Sequence, residues 1–86
     1  MSGHKVIILP TAWKQLMGFD EKLQNRLAEA IYTLELEPRP SGCKKLKGVE
    51  GVYRLRVGNY RVIYEVFDQI LVVQVIAIGN RKEIYE

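Results

Sequence analysis

Two runs of alternating apolar and polar residues, 52–57 and 60–67, stand out in the second half of the chain. Such alternation is typical of β-strands with one buried face, because successive side chains of a strand point to opposite sides. A Gly-Asn pair at 58–59 separates the runs, and glycine at the first central position is typical of a two-residue hairpin turn. The pattern therefore predicts an antiparallel hairpin over 52–67.

This turn determines which residues of the hairpin lie opposite one another. It places Arg56 directly across from Arg61, with Arg54 on the same face. Because opposed like charges destabilise a sheet, folding alone does not explain this face. Two interpretations stay open: a solvated basic surface, or an anion site, since guanidinium groups match phosphate oxygens. The other face is apolar and is expected to join the core: Tyr53, Leu55, Val57, Tyr60, Val62, Tyr64 and Val66.

One strand and two helices are predicted before the hairpin. Residues 5–9 form a β-rich run, and Pro10 ends this strand and suits the first turn of a helix that ends at Gly18. Asp20 is a suitable N-cap for a longer helix that extends to about Leu36. The helical spacing predicts these residues on the buried sides: Ala12, Trp13, Leu16, Met17, Leu23, Leu27, Ala30, Ile31 and Leu34.

A last strand is predicted over 70–78, after a two-residue turn at 68–69 that places Phe67 opposite Ile70. In this register Leu71, Val73 and Val75 face the core, whereas four residues lie beside the arginines: Val72, Gln74, Ile76 and Ile78. Residues 39–48 follow a proline that ends the second helix and are expected to form a loop. The prediction is an α+β domain spanning 1–86, in the order β-α-α-β-β-β, with an antiparallel sheet packed on a helical hairpin.

Charge is distributed unevenly along the chain. The formal net charge is only +3, but residues 39–61 hold seven lysines and arginines against one acid, Glu50. Such a patch indicates nucleic acid or an acidic protein partner, and it makes Lys44, Lys45 and Lys47 candidate RNA contacts.

Several other classes of protein are disfavoured by the composition. No apolar run is long enough to span a bilayer and the N-terminus lacks the apolar core of a signal peptide, so a cytoplasmic location is expected. A single cysteine, Cys43, and a single histidine, His4, predict no internal disulfide and no metal site. Neither residue has a neighbour in sequence that would make it a nucleophile or a general base.

Four segments together resemble the RelE/ParE toxin superfamily, and the resemblance covers essentially the whole chain: 45–48, 53–57, 59–65 and 78–85. It implies a microbial-ribonuclease-type fold and the toxin of a type II toxin–antitoxin system. RelE-like members inhibit translation by cutting messenger RNA in the ribosomal A site, without a metal or other cofactor. Position by position, the resemblance assigns catalysis to five residues: Arg54, Arg56, Arg61, Arg81 and Tyr85.

The resemblance further implies metal-free transesterification, in which the ribose 2′-hydroxyl attacks the adjacent phosphate and leaves a 2′,3′-cyclic phosphate. One departure affects the expected proton transfer, because the best-known family member has lysines where Arg54 and Arg56 stand. A lysine can be pushed towards neutrality and act as a base, whereas an arginine effectively cannot. Glu65 lies on the arginine face in the predicted register and is either a candidate base or an ion-pair partner of Arg54.

The resemblance implies a cognate RelB-like antitoxin that covers the basic face of the sheet in a hetero-oligomer. Two alternatives to an RNA-cleaving toxin remain. One is a ParE-like toxin that inhibits gyrase without catalysis, and the other is a nucleic-acid or antitoxin binding module with weak activity. Arg81 together with Tyr85 favours the RelE-like branch.

Overall fold

The computed structural model of the protein describes residues 3–80, which form two helices and one five-stranded sheet. The strand order is β1-β5-β4-β3-β2, and neither helix is long and apolar enough, within these residues, to cross a membrane. The elements are β1 (Lys5–Ile8), α1 (Pro10–Met17), α2 (Glu21–Thr33), β2 (Cys43–Lys45), β3 (Val52–Val57), β4 (Tyr60–Phe67) and β5 (Val72–Asn80).

The predicted α+β fold is confirmed, but β1 and β2 differ from the prediction. β1 pairs with β5 in parallel, so the sheet is mixed and only its other three pairings are antiparallel. β2 lies within the segment 39–48 that was expected to be a loop. The sequence gives little sign of β2, because Lys44 and Lys45 are not strand-favouring residues. This segment is a strand because it pairs with β3.

Both helices begin at the residues that the sequence indicates. Pro10 occupies the first turn of α1, where its missing N–H would have had no helical partner. The Asp20 carboxylate accepts a hydrogen bond of 2.9 Å from the backbone N–H of Leu23, which caps α2. Regular helix ends at Thr33, short of the predicted Leu36, and the next residues continue as turns.

The core lies between the helices and one face of the sheet. Leu27, Ile31 and Leu34 of the α2 region are fully buried against it, together with Val62 and Tyr64 of β4. Burying an apolar side chain of this size contributes about 1.5–3 kcal/mol, so this face stabilises the hairpin strongly.

The prediction that Trp13 belongs to the core is wrong. Trp13 and Met17 are 48% and 45% exposed, whereas Ala12 and Leu16 are the residues of α1 that reach the sheet. Each turn of this short helix therefore buries only one residue against the sheet, and the indole of Trp13 lies beside that buried line of residues.

The connection between β4 and β5 is longer than predicted. Residues 68–71 form the turn and Phe67 pairs with Val72 rather than Ile70. Leu71, predicted in the core, lies in this turn at φ 55° and is 40% exposed. Because the register shifts by two residues, Val73 and Val75 still face the core as predicted.

An irregularity in the β4–β5 pairing changes the faces of the last residues of β5. Tyr64 pairs with Val75 but Ile63 pairs with Ala77, so Ile76 is an extra residue, as in a β-bulge. Beyond it the alternation is reversed. Ile78, predicted beside the arginines, is instead 1% exposed in the core.

A polar cluster joins the segment after α2 to the turn after β4. Arg39 donates from Nη2 to Asp68 Oδ2 at 2.6 Å and from Nε to the hydroxyl of Tyr53 at 2.9 Å, with its guanidinium over the Tyr53 ring. His4 Nε2 lies 3.2 Å from Asp68 Oδ1. Hydrogen bonds lower the pKa of the Asp68 carboxyl, chiefly the bond from Arg39 and to a smaller extent the one from His4.

We expect Asp68→Asn to reduce the free energy of unfolding at neutral pH and to have less effect in acid. A lowered folded-state pKa means that the carboxylate stabilises the fold above its ordinary pKa, and this contribution is lost as pH falls through the folded value. Urea unfolding at about pH 7 and about pH 3 measures the difference between wild type and variant. Gln69→Ala in the same turn is the control. A difference for Asp68→Asn that does not change with pH would contradict this role.

Candidate nucleic-acid interface

The predicted register of the central hairpin is confirmed. Arg56 pairs with Arg61 and Val57 with Tyr60 across the turn. Gly58 has φ 61° and Asn59 has no positive φ, which matches a two-residue turn with glycine at its first central position. The two arginines are therefore neighbours on one face because the turn and the buried face allow no other alignment.

Arg56 and Arg61 line a groove of about 560 Å³ on the face of the sheet away from the helices. We call it the arginine groove, and its lining residues are Gly42, Lys44, Arg54, Arg56, Gly58 and Arg61. Four of the six are cationic. Lys44 enters the groove because β2 pairs with β3 and sets Lys44 opposite Arg54. This placement was missed from sequence because 39–48 was expected to be a loop.

A second groove of about 410 Å³ continues from the first, and the two share Lys44 and Arg54. Its lining adds Lys45, Leu46 and Lys47. Lys45 also forms an exposed ion pair with Glu50, at 3.3 Å, and such a pair contributes little to stability. The three lysines predicted to contact RNA thus lie along one path with the arginines.

The electrostatics of the arginine groove favour an anion with several oxygen atoms. Arginine keeps its charge at any physiological pH and presents a fork of N–H donors. The side chain of Arg56 is exposed, whereas those of Arg54 and Arg61 are half-buried. A bound phosphate would therefore contact one cation that is open to solvent and two that the surrounding residues hold more firmly in place. Phosphate charge between Arg56 and Arg61 would also relieve the repulsion between these paired residues.

The bulge of β5 determines what lies next to Arg61. Gly79 pairs with Arg61, and Ala77 pairs with Ile63 on the same face. Only small residues of β5 therefore adjoin this part of the arginine groove. Glu65 lies on this face too, paired with Val52, as its predicted register requires.

Gly58 permits a close contact that the sequence did not indicate. A Cβ atom there would lie 3.1–3.3 Å from three atoms of the Arg26 guanidinium, which reaches the turn from α2. The positive φ favours glycine here, and the absence of a Cβ leaves room for this approach. Arg26 itself does not line the arginine groove; its guanidinium only approaches Gly58, which does.

Of the described candidate residues, His4 and Cys43 do not line the arginine groove. His4 is bound to Asp68 at the end of the sheet away from the Gly58 turn. Cys43 lies in β2, and its contact adds to the effect of burial in raising the pKa of the Tyr64 hydroxyl. Arg81 and Tyr85, to which the resemblance assigns catalytic roles, lie outside the described residues.

Comparison with known proteins gives relatives that share both the fold and most of the chain. The profile of the ParE toxin of type II toxin–antitoxin systems, parDE, matches residues 6–85. The mRNA interferase toxin RelE of Escherichia coli (strain K12) is 35% identical over 78 residues, which cover 85% of this chain and 77% of that protein.

Two solved complexes have the same fold. The archaeal RelE–RelB complex from Pyrococcus horikoshii OT3 contains a chain with a TM-score of 0.83 and 30% identity, covering 95% of this chain and 99% of that one. A chain of the intact E. coli RelBE toxin–antitoxin complex has a TM-score of 0.77 and 26% identity, and the match covers 90% of this chain and 95% of that one. The chain belongs to the RelE/ParE superfamily of type II toxins, in its RelE-like branch.

We expect Gly58→Ala to lower the free energy of unfolding by about 1–2 kcal/mol, because a left-handed backbone conformation is unfavourable for a residue with a Cβ. The contact with Arg26 must also adjust. Asn59→Ala, at the other central position of the turn, is the matched control and should change stability by less than about 0.5 kcal/mol. Urea unfolding measures both. Equal stability of Gly58→Ala and wild type would show that the turn does not require glycine.

Proposed function

We propose that this protein is a ribosome-dependent endoribonuclease toxin that cuts messenger RNA in the A site and so inhibits translation. The observation that carries the proposal is the direct pairing of Arg56 with Arg61 in a groove that also holds Arg54 and Lys44. A related protein named as an mRNA interferase toxin, 35% identical, supports the same reaction.

In the proposed reaction, the ribose 2′-oxygen attacks the adjacent phosphorus in line. The bond from phosphorus to the 5′-oxygen breaks, and the products are a 2′,3′-cyclic phosphate and a 5′-hydroxyl. The 2′-hydroxyl gives up one proton to water and the 5′-oxygen takes one from water, so the reaction neither gains nor loses a proton overall. Arg56 and Arg61 would stabilise the negative oxygens as the five-coordinate phosphorus forms, because fixed cations do so without reorganising.

The other candidate residues have roles that follow from the family resemblance. Arg54 would contact the nucleophile side or a neighbouring phosphate. Arg81 would stabilise charge on the leaving 5′-oxygen, and Tyr85 would stack on a base or orient the 2′-hydroxyl. Lys44 would hold the next phosphate where the arginine groove meets the second groove.

Arginine does not serve as the base, because its pKa keeps it protonated. The proposal therefore assigns most of the rate enhancement to electrostatic stabilisation and to positioning. A messenger held by the ribosome in an attack geometry would supply the positioning, which converts a flexible substrate into a preorganised one. The free protein is accordingly expected to be a poor nuclease.

We expect Arg56→Ala and Arg61→Ala each to lower the single-turnover rate of cleavage of ribosome-bound messenger by about 10²–10³-fold, as for the loss of one donor at a developing negative charge. Lys14→Ala removes an exposed cation of α1 outside both grooves and should leave the rate unchanged. Circular dichroism establishes that the variants are folded. Full cleavage by both arginine variants would exclude these residues from the reaction.

The ParE description of the matching profile makes a gyrase inhibitor the second candidate. Mapping of RNA 5′ ends and of plasmid supercoiling after a short pulse of expression separates the two. New 5′-hydroxyl ends in translated messengers, with normal supercoiling, are expected here. Loss of supercoiling without messenger cleavage would favour the gyrase inhibitor.

We further propose that the cognate antitoxin covers the arginine groove with an acidic segment. The support is the charge of that groove and the RelE–RelB assembly of the P. horikoshii relative. An antitoxin bound there would exclude RNA from the same cations, which gives inhibition without any change of fold.

We expect Arg56→Glu to weaken antitoxin binding by about 30-fold or more, since a close charge pair at an interface is worth about 2 kcal/mol or more when one partner is lost. Lys14→Glu reverses a charge outside the grooves and is the matched control. Isothermal titration calorimetry at low and high salt measures both. Equal losses of affinity in the two variants would mean that antitoxin binding depends only on the net charge of the protein, which would contradict a specific contact at the arginine groove.

A further inference from the structure

A side chain of α1 binds the backbone of β5 beyond the end of its pairing with β1. The backbone N–H of Ile78 donates a hydrogen bond of 2.7 Å to Oε1 of Gln15, in a partly buried position. β1 pairs with β5 only as far as Val75, where the N–H of Leu9 donates to the Val75 carbonyl at 3.0 Å. Among residues 3–80, no strand therefore flanks β5 on the β1 side beyond Val75.

Gln15 takes the place that a carbonyl of β1 would have occupied. β1 cannot continue, because Pro10 begins α1 two residues after Ile8. After the extra residue Ile76, Ile78 is again paired with Val62 of β4, but β1 has already ended on the other side of β5, so the Ile78 N–H on that side needs another partner. The amide oxygen of Gln15 provides that partner for Ile78.

The bulge determines which residue of β5 lies beside Arg61. With Ile76 as the extra residue, Ile78 is in the core and Gly79 is paired with Arg61. A regular strand from Val75 onward would exchange the two faces, so that Ile78 would lie among the arginines.

We propose that Gln15 is a positioning residue of the RNA-cleaving site: its amide holds the β5 bulge and thereby fixes the end of the strand next to Arg61. Bulges frequently lie beside active sites, where they redirect a side chain. The effect on RNA rests on the function proposed above, whereas the hold on the strand does not. Gln15 touches no reacting atom in this role.

The test compares two replacements of Gln15. Gln15→Met keeps the length of the side chain but has no oxygen acceptor, and Gln15→Glu keeps an oxygen that accepts from Ile78. Gln24→Met is the matched control, since the Gln24 amide also binds backbone, donating to the Phe19 carbonyl at 2.8 Å, but lies away from β5. All three variants are made in the full chain.

We expect hydrogen exchange at the Ile78 amide to be about five- to tenfold faster in Gln15→Met than in wild type, which corresponds to the loss of one net hydrogen bond. Gln15→Glu should restore slow exchange. Gln24→Met should leave the Ile78 amide unchanged. Unchanged exchange in Gln15→Met would overturn the proposal, because the amide would then not depend on Gln15.

Cleavage of ribosome-bound messenger supplies the second readout. We expect Gln15→Met to lower the saturating single-turnover rate about tenfold with little change in the half-saturating concentration, and Gln15→Glu to restore it. Gln24→Met should keep the wild-type rate, because the hydrogen bond that it removes lies away from β5. Equal rates for Gln15→Met and Gln24→Met would show that Gln15 only stabilises the fold and would overturn its positioning role.

The proposed function can fail separately. If the wild-type protein cuts no messenger, the RNA-cleaving reaction is wrong, and the exchange at Ile78 together with NMR contacts between Gly79 and Arg61 still tests the hold on β5. Loss of those contacts in Gln15→Met, with recovery in Gln15→Glu, supports the structural part. Their persistence in Gln15→Met overturns it.

Discussion

The pairing of Arg56 with Arg61 is the constraint on which the rest of this protein depends. Two guanidinium groups directly opposed in a sheet repel each other, by less than about 1 kcal/mol. The opposite face of the same hairpin buries Leu55, Val62 and Tyr64, and each of these contributes about 1.5–3 kcal/mol. Core burial therefore exceeds the repulsion by a wide margin and holds the cations together before any ligand arrives.

This arrangement suits a reaction in which charge develops on phosphate oxygens. The groups that stabilise the charge are positioned by the sheet, so little reorganisation is needed when RNA binds. In the proposed function, the same preformed cations would give an acidic antitoxin a target, and covering them would remove RNA binding at the same time. Catalysis and inhibition would thus use one surface of the toxin.

The ends of the sheet are positioned by side chains from other elements. Arg39 and His4 hold Asp68 in the β4–β5 turn, and Gln15 holds Ile78 beyond the bulge. These contacts join residues far apart in the sequence, which short antiparallel hairpins cannot do by themselves. The strand end nearest the arginine groove is therefore fixed from the helical side of the molecule.

Sequence patterns predicted the hairpin and its register, because alternation and a two-residue turn are local signals. They also placed Arg54, Arg56 and Arg61 on one face. The bulge at Ile76 was not predicted, since it depends on pairing between strands, and it reversed the face of Ile78.

The same limit applies to β2 and to α1. β2 is three residues long and is defined only by its pairing with β3, which is why Lys44 was not expected opposite Arg54. Trp13 follows the helical period, but the period alone does not determine how wide a stripe the sheet covers. The catalytic assignment of Arg81 and Tyr85 remains a prediction from the family resemblance.

A double-mutant cycle on cleavage of ribosome-bound messenger tests the central claim most directly. If Arg56 and Arg61 act on the same phosphate, the double Ala variant should lose much less activity than the product of the two single losses, with a coupling energy above about 1 kcal/mol. Losses that multiply to within about 0.5 kcal/mol would mean that the two arginines act independently and would contradict the claim.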